Sequence, residues 1–420
     1  LLPEEYFNLG GKTRWYGAAL LRYAPHEFAA DPSHQCRAWP IGLEMLQPYY
    51  DEAERLLGVR RFDCEPGLQR IAARLTHPTA KWQAAPLPMG LDAAIVGHEQ
   101  EARHFDGFAS PSGLKGDALT GFLDRVRNAP NLRIVAGDAV CGLLGAADEP
   151  TRIIGVRTAA GAEYRARHVL LAAGALHTPR LVQRHLEDHG LGQSLPSARQ
   201  VGRNLKLHLL TAVVGIGVRR QDDLLRKTTL LTHPDLPHSS VQPLGFDGEL
   251  IAGLIPGFVP RRIARGLGAH AYGFFLQTED GSHPDNRVWQ PRPDGLPVLD
   301  YDAERVAPAL AEHQALIRRF RRALARAGLL AFSQRIGLAG TAHACGTMIA
   351  GLDPADSVVD ADGRMHGMNG LYVVDGSVLP RSSRVNPSLS IYGWSLRVAD
   401  RLAVAQAPLR AAGQDQAQRA

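Results

Sequence analysis

Three groups capable of chemistry fall within one stretch of the chain, Thr341 to Leu402. His343 flanks the Gly346-Thr347 turn in TAHACGTMIAG, and beyond the strand-like run LYVVDGS the Asn386 amide and Pro387 open the amphipathic helical pattern NPSLSIYGWSLRVADRL. An imidazole exchanges a proton near neutral pH. A carboxamide donates and accepts hydrogen bonds without titrating. A helix N-terminus presents free N–H groups and partial positive charge. Asn386 also suits a helix N-cap, and Pro387 suits the first helical turn. A lone histidine is ordinarily a hydrogen-bonded core residue. One ionisable side chain, one amide and one helix end therefore stand where they could converge on a single reactive group.

These groups need elements to position them. Leu43, Leu46, Tyr50, Ala53 and Leu57 recur at helical spacing and predict a helix over 43–57. A Pro-rich stretch from Asp63 to Gly113 reads as irregular, of the kind used for lids or binding loops. DALTGFLDRVRN (117–128) reads as a helix behind Asp117. The runs LRIVAG, AVCGLL and RIIGVRT, separated by turn residues, predict an antiparallel meander. His168 to Ala173 is a continuous apolar strand of the doubly buried, parallel kind, entering Gly174 and a helix from about Thr178. From Leu205 to Leu299, LLTAVVGIGV, SSVQPL, ELIAGLI, HAYGFFLQT and NRVWQ predict a second, mainly antiparallel sheet. A long amphipathic helix spans Ala303 to Gly328, interrupted early by Pro308. A helix to about Leu402 follows Pro387, and the residues from about Ala407 read as a frayed tail.

The 420 residues provide for two sizeable cores, and the net charge of +5 is spread along the sequence. Its densest run, Arg318 to Arg326, alternates with Leu316, Phe320, Ala323 and Leu324, so a solvated helix face is favoured over a nucleic-acid surface. The four cysteines are far apart, which excludes a zinc site or redox dithiol built from them. No apolar run approaches the roughly 20 residues of a membrane helix. The first residues lack the pattern of a signal peptide, and the expected location is soluble, cytoplasmic or periplasmic.

A phosphate-binding turn was sought in the pattern G-x-G-x-x-G/A. Gly266, Gly268 and Ala271 match formally, but PRRIARG before them is no buried strand and YGFFLQT after them is no helix, so the match is rejected. GIGVRR fails at the third position.

Several segments, in order, resemble the glucose-methanol-choline (GMC) family of flavin oxidoreductases. LGGKTRWYGAALLR resembles its G-G-[ST]-[ST]-x-x-N-G loop, LLAAGALHTPRLV its A-G-x-x-x-[ST]-P signature, and VGRNLKLH its V-G-x-N-L-x-x-H run. The segment from His343 to Asn386 resembles its C-terminal signature, with Met365 at a position usually held by Val. LQPYYDEAERLLGV resembles the sugar-oxidising branches near pyranose oxidases and gluconate or fructose dehydrogenases. The fold implied is α/β (α+β): a Rossmann-like FAD-binding domain plus a substrate domain with a mainly antiparallel sheet. The implied division assigns 1–30, 114–204 and 335–405 to the FAD-binding domain, 31–113 to a lid or insert, 205–334 to the substrate domain and 406–420 to a tail. Because the chain starts just before the G-G loop, it is expected to lack the family's first βαβ unit, which carries the phosphate turn.

The resemblance further implies oxidation of a CH–OH group of a sugar, glycoside or related alcohol, with His343 as general base and Asn386 as the second catalytic side chain. For the cofactor it points to Gly10, Gly11, Thr13 and Tyr16 in the loop, and to Val140, Gly174, Asp375, Gly376, Pro387 and Ser388. Tyr16 replaces the loop's Asn, and Trp15 replaces the His that links flavin in some sugar oxidases, so non-covalent FAD is expected. HACGTMIAG lacks the usual R-M-G ending. His208 and His366 read as structural. The partners expected are a small sugar or alcohol, an electron-acceptor protein or small subunit, and a complementing N-terminal chain; oxygen, quinone and cytochrome all stay open as acceptors. A second reading is an inactive subunit of the same fold that cannot hold FAD alone.

Overall fold

Burial alternates along Leu209–Ile216, the pattern of a strand with one face on a core. This strand (β6) lies inside the six-stranded antiparallel sheet of the computed structural model. The structure describes all residues except 1, 2, 4, 254–259, 290–295, 342 and 418–420, and the side chains of 339 and 406–417. The sheet runs β1 (Gln83–Pro86), β7 (Thr229–Thr232), β8 (Ser239–Pro243), β9 (Ala271–Thr278), β6 and β12 (Leu330–Arg335). One helix, α8 (Ala307–Arg326), turns Leu316, Phe320 and Leu324 inward at four-residue spacing. They meet Val213, Phe274 and Trp82 in one apolar cluster.

The second body is built on a parallel pair, β5 (Val169–Leu171) against β13 (Leu371–Val373), with Leu371 opposite Val169. Beside it stands the meander β2 (Val140–Gly145), β3 (Ile153–Thr158) and β4 (Glu163–Arg165). The helix α5 (Gly174–Asp188) leaves β5, and α9 (Ser388–Ala417) lies on β13, Trp394 Nε1 donating to the Val373 carbonyl at 3.0 Å. Against α9 packs α1 (Leu43–Leu57), where the Tyr50 and Ser390 hydroxyls are 2.6 Å apart. A small hairpin of β10 (Arg287–Trp289) and β11 (Val298–Asp300) completes the strands described.

The structure bears out the α/β class, the helix at 43–57 and the antiparallel sheet. It corrects several elements. The segment 63–113 is not simply irregular: it holds α2 (Pro66–Leu75), α3 (Glu99–His104) and β1, and Pro66 opens α2 instead of breaking it. LRIVAG forms no strand; Leu132, Ile134 and Val135 are exposed and meet no partner strand. The third strand of the meander is Glu163–Arg165 instead. ELIAGLI gives a short helix, α6 (Gly248–Gly253), because the Asp247 carboxylate caps it by accepting from Glu249 and Leu250 N–H at 3.0 Å each; Leu254 and Ile255 lie outside the described residues. β5 is parallel as expected but covered on one face only, with Leu170 42% exposed. Its helix begins at Gly174, not Thr178, and Pro308 starts α8 without interrupting it. Residues Leu119–Leu123 are a wide helical turn leading into α4 (Asp124–Val126), and α9 continues beyond Leu402. The formally matching Gly266 and Gly268 sit on α7 (Arg261–Ala269), so they form no phosphate turn.

A buried charge cluster joins the two bodies. Glu279, at the end of β9, takes a bidentate contact from Arg381 (Nη2 to Oε2 2.6 Å, Nε to Oε1 2.8 Å), both side chains being 1% exposed or less. His238 lies between Glu279 and Asp31 at 3.0 Å from each, and stacks on His34 with ring centroids 3.7 Å apart. Burial alone lowers the pKa of His238, but the Glu279 carboxylate overrides it and raises the value. The same guanidinium reaches the Ala29 carbonyl at 2.9 Å. Removing one member of such a pair leaves an uncompensated charge. Arg381→Met should cost about 3–5 kcal/mol of unfolding free energy in urea titrations; an unchanged midpoint and slope would show the pair to be dispensable.

Candidate active site

His343 stands in the loop between β12 and β13 and is partly exposed. Its Nδ1 lies 3.1 Å from Nδ1 of His208, and its Nε2 lies 3.4 Å from Nδ2 of Asn386. Asn386 closes the turn before α9, and its Oδ1 accepts from Nε2 of Gln242 on β8 at 2.6 Å. Gln242 thereby fixes the amide, turning the Asn386 NH2 toward the imidazole. Next to Asn386, the Arg384 carbonyl takes Nε2 of Gln277 and Oγ of Ser240, each at 2.6 Å. Sheet register explains this grouping: Ser240 faces Gln277, and Gln242 follows on the same face.

Burial pushes the His343 pKa well below the ordinary imidazole value, and His208, Lys227 and Lys12 add to the effect. The ring is therefore neutral, as a proton acceptor must be. Lys227 is paired with Asp106 at 2.9 Å. Gly17 abuts that pair so closely that a Cβ there would come within 2.1 Å of Asp106 Oδ1 and 2.3 Å of Lys227 Nζ.

The loop Gly10 to Tyr16 forms a single turn, Gly11–Arg14, behind Gly10 in the left-handed region (φ 85°). Thr13 Oγ1 donates to the Gly10 carbonyl at 2.5 Å and accepts from Ala118 N–H at 3.1 Å. Tyr16 donates to the Gly116 carbonyl at 2.5 Å, so its side chain is committed to the 116–118 backbone. Asp375 ties two turns together. It accepts from Gly174 N–H and Ser377 N–H at 2.9 Å each, and from the hydroxyls of Thr178 and Ser377. Burial raises its pKa against these bonds. The Gly376 carbonyl accepts from Gly346 N–H at 3.2 Å, joining this turn to the His343 loop. Pro387 starts α9, its carbonyl accepting from Ile391 N–H at 3.0 Å. The N–H groups of Ser388, Leu389 and Ser390 have no acceptor among the described residues. Val140 stands apart on β2, opposite Thr158 and 41% exposed.

These residues fit the flavin end of FAD. Gly11 and Gly174 both have positive φ, and a Cβ on either would meet no atom within 4 Å, leaving the backbone open to a flat ligand. The free end of α9 suits a group that gains negative charge. Among the described residues no glycine-rich strand–turn–helix is present to take the pyrophosphate. Sequence reading found His343 and Asn386 but missed Gln242, Lys227 and Asp106, and it treated His208 as structural. His366, by contrast, only bonds Ser357 Oγ and the Gly351 carbonyl, at 3.1 and 3.2 Å.

Comparison with known proteins identifies the family. Residues 9–210 and 284–395 match two family models, each described as GMC oxidoreductase. The chain is 30% identical to 6'''-hydroxyparomomycin C oxidase of Streptomyces lividus, the alignment covering 98% of this chain and 81% of that one. It is 30% identical to paromamine 6'-oxidase of Streptomyces fradiae, over 96% and 79%. Among solved structures it is similar to pyridoxine 4-oxidase from Mesorbium loti (TM-score 0.62, 18% identity, 94% and 84% covered). An FAD-dependent oxidoreductase from Chaetomium thermophilum gives a TM-score of 0.65 at 14% identity over 97% and 87%. The two structures support the fold.

The contact between Asn386 and His343 gives a signed expectation. Asn386→Asp puts a carboxylate of the same size beside the ring, which favours imidazolium. The His343 pKa should rise by about 1–3 units, read by NMR titration of its ring. A fall, or no change, would mean that the two side chains do not meet.

Proposed function

Because this chain belongs to the GMC oxidoreductase family, we propose that it oxidises a CH–OH group of a sugar, aminosugar glycoside or related alcohol, with His343 as general base and Asn386 as the group that holds the reacting oxygen. It is an FAD-dependent enzyme of alcohol donors. The observation that carries the residue assignment is the 3.4 Å approach of Asn386 Nδ2 to His343 Nε2. A hydroxyl placed against that pair gives its proton to the imidazole lone pair and accepts from the amide. The substrate class is supported by the two oxidases named for paromomycin-type compounds, whose sequences this chain follows over nearly its whole length.

When bound, FAD supplies the hydride acceptor. Gly10, Gly11, Thr13, Tyr16, Gly174, Asp375, Gly376, Pro387 and Ser388 would hold its flavin and ribityl parts, and Val140 would meet the adenine end. The chain's own work is then simple. His343, kept neutral by burial, removes the hydroxyl proton while Asn386 fixes the oxygen and so aims the C–H bond. The free N–H groups of α9 favour negative charge nearby. His343→Ala should slow anaerobic flavin bleaching by sugar or alcohol about 10²–10⁴-fold. Bleaching at the wild-type rate would sink the base assignment.

We further propose that a βαβ segment, on the same polypeptide or another chain, completes the cofactor site by pairing with the open edge of β5. Two observations support this. β5 has β13 on one side only among the described residues, and Leu170, Leu132, Ile134 and Val135 leave apolar surface near the meander exposed. The flavin is held without a covalent link, Trp15 standing where a linking His would be. Residues 1–420 alone should bind FAD weakly, and addition of a segment with a G-x-G-x-x-G turn should yield a yellow protein that acid precipitation turns colourless. Tight FAD binding by residues 1–420 alone argues against the segment, and colour left in the pellet argues against non-covalent binding.

A further inference from the structure

We infer that His208 is a positioning residue that fixes the proton of His343 on Nδ1, so that Nε2 is the bare nitrogen facing the substrate. The inference rests on the reading of His343 as the base, and its logic begins at a backbone carbonyl. His208 Nε2 lies 2.7 Å from the Ser383 oxygen. A carbonyl only accepts, so this nitrogen carries a hydrogen. In a neutral ring, Nδ1 of His208 is then a lone pair. The 3.1 Å contact between the two Nδ1 atoms requires one donor, which is therefore Nδ1–H of His343. His343 Nε2 is left bare, toward Asn386.

Every link in this chain points the same way. Gln242 donates to Asn386 at 2.6 Å, Asn386 faces His343 with its NH2, His343 donates to His208, and His208 donates to Ser383. A series of bonds aligned in one direction polarises each member. The consequence for the reaction is direct. When Nε2 takes the hydroxyl proton, the imidazolium keeps its Nδ1–H bonded to the His208 lone pair. The proton stays on His343, and His208 retains its own hydrogen throughout.

The backbone shows that this arrangement is held in place by force of neighbouring contacts. His208 and Ser383 both have φ in the left-handed region, 61° and 68°, where side chains other than Gly and Asn are disfavoured. The buried Asp280 carboxylate accepts from the N–H of Leu207 and His208 at 2.7 and 3.1 Å, and from Ser382 Oγ at 2.8 Å. Glu279 accepts from Ser383 N–H at 3.1 Å. Two adjacent carboxylates thus hold both ends of the His208–Ser383 contact. A histidine serving only to fill the core needs no such strain.

The experiment is ring-nitrogen NMR on the full chain labelled with 15N-histidine, the His343 signal assigned by its loss in His343→Ala. Wild type should show His343 protonated on Nδ1 and bare on Nε2. His208→Asn tolerates the left-handed backbone but is too short to reach His343; the single tautomer should give way to a mixture. His208→Gln, which carries a donor and an acceptor, should restore the Nδ1–H form at least in part. In the FAD-loaded enzyme, His208→Asn should lower kcat about 10–100-fold with KM little changed. His343 already bare at Nδ1 in wild type, or still wholly Nδ1–H in folded His208→Asn, overturns the inference. A tautomer switch in His208→Asn together with full activity of His343→Ala would instead overturn the base assignment and leave the role of His208 over the tautomer intact.

Discussion

The constraint on which the site depends is the burial of two neighbouring acidic side chains, Glu279 and Asp280, at the carboxyl end of β9. Neither is more than 1% exposed. A buried carboxylate is costly unless its lone pairs are filled. Glu279 is filled by Arg381, His238 and Ser383 N–H. Its neighbour is filled by two backbone N–H groups, Ser382 Oγ and Tyr301 OH. The guanidinium cannot lose its charge, so the Glu279 carboxyl is held well below its ordinary pKa despite burial. These bonds gather the end of β9, the 204–208 turn and the 381–386 segment onto one point. His208, Ser383 and, three residues on, Asn386 are placed by that gathering and not by their own local preferences.

The division between what could and could not be read from the sequence follows from this. His343, Asp375 and Asn386-Pro387 lie in one segment and announce themselves by local chemistry: an imidazole before a Gly-Thr turn, a carboxylate at a strand end, an amide before a proline. Gln242 and His208 act on that segment from more than a hundred residues away. Nothing in VQPL marks Gln242, and VGRNLKLH marks His208 without its contact to His343, because these contacts are created by sheet register and by the left-handed turn at His208. The useful signal would have been the unusual pairing of polar residues, Ser240, Gln242 and Gln277, with an otherwise apolar sheet face; a face that buries amides has something to hydrogen-bond.

The misread elements have physical causes of a similar kind. Short apolar runs with β-branched residues suit either strand or helix, and neighbours decide. For ELIAGLI the decision came from Asp247, whose cap bonds start a helix. For LRIVAG propensity favoured a strand, yet a strand needs a partner and this run pairs with none of the described strands. Pro308 reads as an interruption of α8 where it occupies the first turn, the position in which its missing N–H costs nothing.

The two bodies therefore divide the chemistry. In the proposed reading, the parallel pair with α5, α9 and the Gly10–Tyr16 turn offers open backbone, Gly11, Gly174 and the start of α9, to the cofactor. The antiparallel sheet presents side-chain amides toward Asn386 beside His343 and toward the Arg384 carbonyl. His343 lies where the two meet, tied to the first body through Gly346 and Gly376 and to the second through Asn386 and Gln242. A side chain held from both bodies keeps its geometry only if the bodies cannot slide. The charged seam His238–Glu279–Arg381, buried on that boundary and reaching the half-exposed Asp31 at its end, meets the requirement, because sliding would separate buried ions from their partners. The seam thus acts on the position of His343 from a distance, by resisting the separation of the two bodies.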